Sequence, residues 1–227
     1  MIRFEKIFKT YPVNGKRIPA LQTISLSVPA GQMTAISGGS GAGKSTLLNI
    51  CGLVDYEYRG KLFINGQKMS VVPGEAVLAR REYISFVFER CNLIPVMNIY
   101  ENLEYPLILK GMEASERQTL VDAMVAKLDL QGLCHKMPAD ISLYEQQRIA
   151  VARAMIAKPL VVVADEPTAD LNDSEASIIA QLLVSMSREI GATLLVATNC
   201  IAMQQRCDVI QYLDQGHVVS EPMKCAS

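Results

Sequence analysis

The sequence carries almost no excess charge and no long hydrophobic run. Its 227 residues contain 22 Lys and Arg against 23 Asp and Glu, so the net charge of −1 gives no reason to expect a nucleic-acid partner. No apolar stretch approaches the roughly 18 residues that a membrane-spanning helix needs. An N-terminal signal region is not expected either, because Arg3, Glu5, Lys6 and Lys9 interrupt the start of the chain.

Paired cysteines are also missing. The six cysteines are scattered with no C-x-x-C pair, which argues against a zinc site and against a disulfide framework. This usage is typical of a reducing cytosol, so we expect a cytoplasmic protein. Half of the residues are hydrophobic, which excludes a disordered chain, and the length is enough for one sizeable core or two small ones.

A phosphate-binding motif is present in full. Residues 38–46 read GGSGAGKST and fit the pattern G-x-x-x-x-G-K-[ST], with an apolar segment before them and a helix-like segment, 46–54, after them. Glycines let backbone N–H groups point at an anion, and the start of the following helix adds its positive end. The predicted ATP-binding residues are Gly38, Gly39, Ser40, Gly41, Ala42, Gly43, Lys44, Ser45 and Thr46. We expect Lys44 to reach the β- and γ-phosphates and the Ser45 hydroxyl to bind Mg²⁺.

An acidic pair follows a second apolar segment. Residues 160–164 form a short Val-rich run, which predicts a strand buried on both faces of a parallel sheet. Asp165 and Glu166 then lie at the carboxyl end of that strand, where α/β sheets bind ligands. We expect Asp165 to hold Mg²⁺ through water and Glu166 to polarise the attacking water. The alternative is a solvated turn with a helix cap.

The alternation of strands and helices predicts an α/β fold. Antiparallel strands are expected at 2–8 and 21–28, joined by a hairpin turn at Asn14-Gly15. Further strands are expected at 62–64, 84–88, 193–197, 209–213 and 217–220. Helices are expected at 98–110, 115–128, 145–157 and 174–190, the second with a capping box at Ser115 and Gln118.

Tyr11 lies at the end of the first predicted strand and has two interpretations. It can serve as a platform on which adenine stacks, or it can be an ordinary tyrosine at a strand end, since aromatic residues are common in strands.

Taken in order, the motifs resemble those of the ATP-binding subunits of ABC transporters over essentially the whole chain. GGSGAGKST resembles the Walker A loop, and LVVVADEPT resembles the Walker B strand with its glutamate. Between them, FVFERCNLIP resembles the Q-loop region, IYENLEYPLILKG the start of a helical subdomain, and EQQRIAVARAMIAKP the helix after the ABC signature. The Q-loop and subdomain phrases are most similar to the subfamily that serves lipoprotein release, macrolide and peptide export, and cell division.

The resemblance implies one nucleotide-binding domain over residues 1–227 with the ABC-type P-loop ATPase fold, a mixed sheet core with an N-terminal antiparallel β part. The RecA-like core is expected at about 1–96 and 157–227, with an inserted helical subdomain at about 97–156. Such subunits pair as homo- or heterodimers, and each ATP lies between the Walker motifs of one subunit and the signature of the other. Transmembrane subunits are expected to dock between Glu89 and Tyr100, which would hold the chain on the cytoplasmic face of the membrane.

Four elements depart from the family pattern. The signature, normally Leu-Ser-Gly-Gly-Gln or -Glu, reads ISLYE at 141–145; Glu89 replaces the Q-loop glutamine, Asn172 the D-loop aspartate and Asn199 the switch histidine.

The family roles carry over to the altered positions as expectations. By resemblance, Ser142 and Glu145 contact the nucleotide of the partner site, while Glu89 and Asn199 take part in catalysis. Glu89 would also ligate Mg²⁺, but it cannot donate a hydrogen bond, and Asn199 cannot titrate as histidine does. Leu143 and Tyr144 add bulk where the backbone should approach a phosphate. ATP and Mg²⁺ binding is therefore expected to survive better than fast hydrolysis.

Two functions remain open. The first is an ATPase, with slow turnover, that drives export or membrane extraction of a substrate through separate membrane subunits. The second is a nucleotide-binding module whose ATP occupancy controls a membrane complex with little turnover. The retained Glu166 favours the first, whereas the altered signature and Asn199 favour the second.

Overall fold

An antiparallel sheet forms the N-terminal part of the computed structural model, which describes residues 1–220. Its strands are β1 (Ile2–Val13), β2 (Lys16–Val28), β4 (Arg59–Ile64) and β5 (Gln67–Lys68), in the order β2-β1-β4-β5. Asn14 and Gly15 join β1 to β2 with φ angles of 48° and 76°, as a two-residue hairpin turn requires. The predicted hairpin is therefore confirmed, and both strands extend further towards the turn than their apolar pattern indicated.

A second, six-stranded sheet is the centre of the fold. Its strands are β3 (Met33–Ser37), β6 (Ile84–Val87), β7 (Val161–Asp165), β8 (Thr193–Ala197), β9 (Val209–Asp214) and β10 (His217–Val219), in the order β10-β9-β3-β8-β7-β6. All neighbours are parallel except β10, which pairs antiparallel with β9. The sheet is thus mixed, as predicted.

Seven α-helices accompany the sheets in the described part of the chain. They are α1 (Lys44–Cys51), α2 (Pro73–Tyr83), α3 (Ile99–Leu109), α4 (Ala114–Lys127), α5 (Leu143–Ile156), α6 (Asp173–Glu189) and α7 (Ile201–Gln204), with two short 3-10 helices at Gln131–Leu133 and Pro138–Asp140. Within residues 1–220, none of these helices combines the length and the apolar character that crossing a membrane requires.

The helices differ from the sequence-based expectation in three places, of which the first is the four-residue helix α7, which was not predicted. Helix α2 was not predicted, and Ala76 is its one buried residue, so its sequence carries little helical periodicity. The capping box at Ser115 is wrong, because α4 begins one residue earlier. The carbonyl oxygen of Glu113 accepts from the Arg117 backbone N–H at 3.0 Å, which makes Glu113 the N-cap and places Ser115 inside the first turn.

Hydrophobic cores cover both faces of the mixed sheet. Strand β7 shows the alternation, because Val162 and Ala164 face the cluster of α3 to α6, whereas Val161 and Val163 face α1 and the antiparallel sheet. All of the parallel strands end at one edge of the sheet, so the loops that follow β3, β6, β7 and β8 emerge together. This rigid edge carries the residues described next.

Candidate nucleotide-binding site

The phosphate loop connects β3 to α1 and lines a cavity of about 410 Å³. The cavity is lined by Tyr11, Ala20, Gly39, Ser40, Gly41, Ala42, Gly43, Lys44, Ser45, Thr46, Glu166 and Asn199. The structure therefore brings the predicted loop together with three predicted residues from distant parts of the chain, Tyr11, Glu166 and Asn199. A phosphate group in this cavity would face the N-terminus of α1.

Two glycines are required by the path of the loop. A Cβ atom on Gly38 would lie 2.1 Å from the Leu213 carbonyl oxygen, so the loop leaves β3 directly against β9. Gly43 has a φ of 103°, and its Cβ would lie 2.5 Å from the Ala20 carbonyl oxygen. Neither position accepts a side chain, because the clashing atoms belong to the backbone of neighbouring strands.

Lys44 lies across the mouth of the loop. Its ammonium donates to the carbonyl oxygens of Gly38 at 2.8 Å and Gly39 at 3.4 Å. The same nitrogen is 3.5 Å from the Glu166 carboxylate. The cation and the carboxylate therefore form an ion pair in the lining of the cavity, and a polyphosphate would replace the carbonyl contacts of Lys44 with charge-assisted hydrogen bonds.

Glu166 has an unusual backbone conformation. Its φ is 43°, in the left-handed region that costs a non-glycine residue on the order of 1–3 kcal/mol. The Glu166 N–H donates to the Ala197 carbonyl oxygen at 2.9 Å, which ties the end of β7 to the end of β8. This contact helps to hold the strained turn that directs the carboxylate into the cavity.

Asp165 ends β7 with an unsatisfied oxygen. Its Oδ1 atom is buried and has no hydrogen-bond partner within the described residues. An unpaired buried carboxylate oxygen is costly, and a cation or a cation-bound water would satisfy it. Ser45 contributes a hydroxyl to the nearby cavity. Asp165 and Ser45 therefore fit the hard oxygen ligands that Mg²⁺ prefers.

Asn199 contacts the phosphate loop itself. Its Oδ1 atom accepts from the Gly38 N–H at 3.3 Å and from the Ser37 hydroxyl at 3.4 Å. Gln204 supports this contact by donating to the Ser37 hydroxyl and to the Thr198 carbonyl oxygen, both at 3.1 Å. Sequence reasoning missed Gln204, for which no motif gives a signal.

Tyr11 lines the cavity from the antiparallel sheet. It lies within β1 rather than at its end, and its hydroxyl donates to Asp55 Oδ2 at 2.9 Å. Burial raises the pKa of the Tyr11 phenol, the Thr46 hydroxyl lowers it, and the Asp55 carboxylate raises it. The phenol is therefore protonated at neutral pH and serves as the donor to Asp55.

Five of the predicted site residues do not line this cavity: Gly38 and Asp165 adjoin lining residues in the chain, whereas Glu89, Ser142 and Glu145 do not. Glu89 is exposed and follows β6 at the same edge of the sheet. Ser142 and Glu145 lie at the start of α5 and cap each other: the Ser142 hydroxyl and N–H donate to the Glu145 carboxylate at 2.7 and 2.8 Å. These hydrogen bonds, first the one from the side chain and then the one from the backbone, lower the pKa of Glu145. The carboxylate is therefore ionised beside the helix N-terminus.

Comparisons with known proteins agree with this geometry. The family model described as ABC transporter matches residues 21–169. The chain is 33% identical over its whole length to the macrolide export ATP-binding/permease protein MacB of Escherichia coli, of which it spans 35%. It is 37% identical to the uncharacterized ABC transporter ATP-binding protein MJ0796 of Methanocaldococcus jannaschii, with 97% of this chain and 96% of the relative covered.

A solved structure of that relative extends the agreement to the fold. It is described as a dimeric post-hydrolysis state of the ATP-binding cassette MJ0796 bound to ADP and Pi, and it superimposes with a TM-score of 0.88 at 33% identity, with both chains covered in full. The predicted fold class is thereby confirmed. The chain belongs to the ABC transporter family and is one of the family's ATP-binding cassettes, which are ATPases.

Proposed function

We propose that this chain binds Mg²⁺-ATP in the phosphate-loop cavity and hydrolyses it slowly, to drive export through separate membrane subunits. The observation that carries this proposal is the ion pair of Lys44 and Glu166, whose charged atoms lie 3.5 Å apart in the lining of the cavity. Transfer of a phosphoryl group to water requires a cation that binds the phosphates and a group that orients the attacking water, and this pair provides both.

The charged and hydroxyl groups in and beside the cavity have distinct roles in this proposal. Lys44 would bind the β- and γ-phosphates, and Ser45 and Asp165 would hold Mg²⁺. The bound Mg²⁺ would neutralise charge on the phosphate oxygens. Glu166 orients a water molecule and accepts its hydrogen bond as the water oxygen attacks the γ-phosphorus and the bond to ADP breaks. Glu89 would become a further ligand of the metal if the loop after β6 turned inward on ATP binding.

The signature helix explains why turnover should be slow. In a pair of such subunits, the start of α5 would face the γ-phosphate of the partner's nucleotide, and the dimeric cassette structure supports pairing. Here the Glu145 carboxylate already binds the Ser142 hydroxyl and N–H. Leu143 adds a side chain that is 39% exposed at the same place. The side chains of Leu143 and Tyr144, which stand where the family has two glycines, would thus hinder the approach of the helix start to a phosphate.

The alternative function is a binding module with little turnover. The contact of Asn199 with the Gly38 N–H favours this alternative, because the side chain at the switch position is engaged with the loop. In that case ATP would set the conformation or assembly of a membrane complex. The two proposals predict the same ATP affinity and differ only in phosphate release.

The membrane subunits are proposed to dock beside the segment from Glu89 to Tyr100. Part of this segment belongs to the core: Cys91 is buried, and its thiol donates to Gln147 Oε1 at 2.7 Å. Val96, in contrast, is 82% exposed. The segment is therefore anchored at Cys91 and presents an apolar side chain to a partner.

A larger cavity of about 960 Å³ is proposed as a second docking surface, lined by residues outside the segment from Glu89 to Tyr100. Leucines of three helices line it together with Arg81, Lys110 and Lys158, against two acidic residues, Glu82 and Glu116. Leu78 of α2 is 65% exposed at this surface. An apolar floor with excess positive charge fits a short amphipathic segment of a membrane subunit that carries acidic residues.

The division of the chain and its location belong to the same proposal. We take α3, α4 and α5 as the helical subdomain, about 97–156, between the two parts of the RecA-like core. The chain would lie at the cytoplasmic face of the membrane through its docked subunits.

Phosphate release tests the proposed function. The membrane complex is assembled with the parent chain or with Glu166→Gln, and release from Mg²⁺-ATP is followed at steady state. The parent should release phosphate at a rate that Glu166→Gln lowers at least about a hundredfold, with ATP affinity unchanged. Equal rates for the two chains would exclude hydrolysis at this carboxylate and favour the binding module.

A further inference from the structure

A buried ion pair lies next to Tyr11. Lys9 of β1 is a charged residue with only 5% of its side chain exposed, and its ammonium donates to Asp55 Oδ1 at 2.7 Å and to the Glu57 carbonyl oxygen at 2.8 Å. Asp55 is itself 16% exposed, and its second oxygen accepts the Tyr11 hydroxyl at 2.9 Å. A lysine is rarely this buried unless its charge is paired, and burying an ion pair costs desolvation of both charges. The presence of such a pair next to Tyr11 therefore requires an explanation.

The ion pair is aligned with the tyrosine ring as well as with its hydroxyl. The Lys9 ammonium lies 4.8 Å from the centroid of the Tyr11 ring, within the range of a cation–π contact. Tyr11 lines the nucleotide cavity, whereas Lys9 lines a separate cavity of about 590 Å³ formed by β1 and the start of β4. Lys9 is therefore in contact with the ring without lining the nucleotide cavity.

Asp55 also connects this cluster to the phosphate-binding helix. It follows α1 (Lys44–Cys51), and its N–H donates to the carbonyl oxygen of Asn49 within that helix at 3.1 Å. Asp55 thus links the end of the phosphate-binding helix, through its backbone N–H, to the tyrosine hydroxyl, through its carboxylate. A fixed ring loses little conformational freedom when a base stacks on it.

We propose that Lys9 and Asp55 are positioning residues that hold the Tyr11 ring as the platform for the adenine base, with the cation behind the ring and the base on its opposite face. This inference rests on the proposed binding of ATP in the phosphate-loop cavity, which Tyr11 lines. The ammonium draws electron density from the ring, which strengthens stacking with an electron-rich purine, and the carboxylate prevents the ring from turning away. Neither residue touches the phosphates.

The test separates the base from the phosphates. Dissociation constants of Mg²⁺-ATP and of inorganic triphosphate with Mg²⁺ are measured by calorimetry on the full chain, and their ratio reports the contribution of the nucleoside. Tyr11→Ala should weaken ATP binding on the order of 5- to 100-fold and leave triphosphate binding unchanged. Lys9→Met should weaken ATP binding about two- to fivefold with the same selectivity, and Lys9→Arg should restore it.

Additional variants keep the result interpretable. Lys9→Met leaves Asp55 unpaired, so the double variant Lys9→Met with Asp55→Asn removes both charges and should show the same selective loss if it folds. Lys6→Met, an exposed lysine of the same strand, is the matched control and should change neither constant.

The outcomes distinguish the two claims. If Tyr11→Ala lowers ATP affinity selectively but the Lys9 and double variants do not, the platform stands and the positioning role of the ion pair is refuted. If Tyr11→Ala leaves the ratio unchanged, the platform itself is wrong. Equal losses for ATP and triphosphate in the Lys9 variants would show a general structural role and would also refute the proposal.

Discussion

Removing two side chains from the signature helix should speed ATP hydrolysis. In the double variant Leu143→Gly with Tyr144→Gly, the first turn of α5 loses the bulk that separates its N–H groups from a partner nucleotide. Ser142 and the helix start could then approach the γ-phosphate. A gain of about 1.4 kcal/mol in transition-state stabilisation corresponds to a tenfold higher rate, and we expect at least that increase. Adding Asn199→His should raise the rate further, because an imidazole can reach a phosphate and titrate near neutral pH.

The cost in stability can be judged from the structure. Leu143 is 39% exposed, so its loss removes little buried surface. Tyr144 is half-buried against the core, and its ring lies 5.7 Å from the Arg148 guanidinium. Two glycines in a helix cost about 2 kcal/mol, and the lost packing of Tyr144 about 1–2 kcal/mol more. A domain stable by roughly 5–15 kcal/mol should survive this change, with a melting temperature lower by about 10 °C.

The assay combines a melting curve with steady-state phosphate release in the same membrane complex. The control is Leu143→Ala with Tyr144→Ala, which keeps good helix formers but leaves two Cβ atoms near the phosphate, and it should fall between the parent and the glycine variant. If the folded glycine variant is no faster than the parent, the bulk of the signature does not limit turnover and the reasoning fails.

Three further outcomes are expected. Lys44→Ala should weaken Mg²⁺-ATP binding severely in calorimetry, since it removes the cation paired with Glu166; unchanged affinity would refute the loop as the ATP site. Val96→Asp should release the folded chain from its membrane subunits in a co-purification assay, whereas Ile178→Asp, which is 51% exposed on α6, should not; equal retention would count against the docking surface. Burial raises the pKa of Cys91 to about 11, so its thiol should resist alkylation in the native chain at pH 8, and rapid alkylation seen by mass spectrometry of the peptides would contradict this. The contribution of the buried thiol to the free energy of unfolding should decline only above the ordinary thiol pKa of about 8.5, because the thiol of the unfolded chain ionises first.

The parts of the site that sequence could predict are those with local causes. The phosphate loop and the pair Asp165 and Glu166 each depend on a short stretch next to a buried strand, and the parallel topology then brings them to one edge. The hairpin at Asn14-Gly15 was predictable for the same reason, because a two-residue turn needs positive φ at both positions. These features depend on local chemistry rather than on contacts between distant residues.

The parts that could not be predicted depend on contacts between distant residues. Lys9 and Asp55 are 46 residues apart, and Gln204 and Ser37 are 167 apart, so no spacing rule joins them. Helix α2 was missed because it buries little apolar surface, which leaves no periodic pattern to read. The N-cap of α4 was predicted at Ser115 instead of Glu113, because the sequence pattern does not show which carbonyl oxygen accepts the first hydrogen bond of the helix.

A single-turnover measurement tests the central claim, that this cassette cleaves ATP despite its altered signature. The membrane complex, in excess over radiolabelled Mg²⁺-ATP, is quenched at intervals, and bound ATP is separated from ADP and phosphate. We predict that the parent converts its bound ATP to ADP in a slow first-order reaction, while Glu166→Gln binds ATP equally well and retains it intact. If the parent holds ATP as long as Glu166→Gln does, the chain is a binding module and the claim of hydrolysis is wrong.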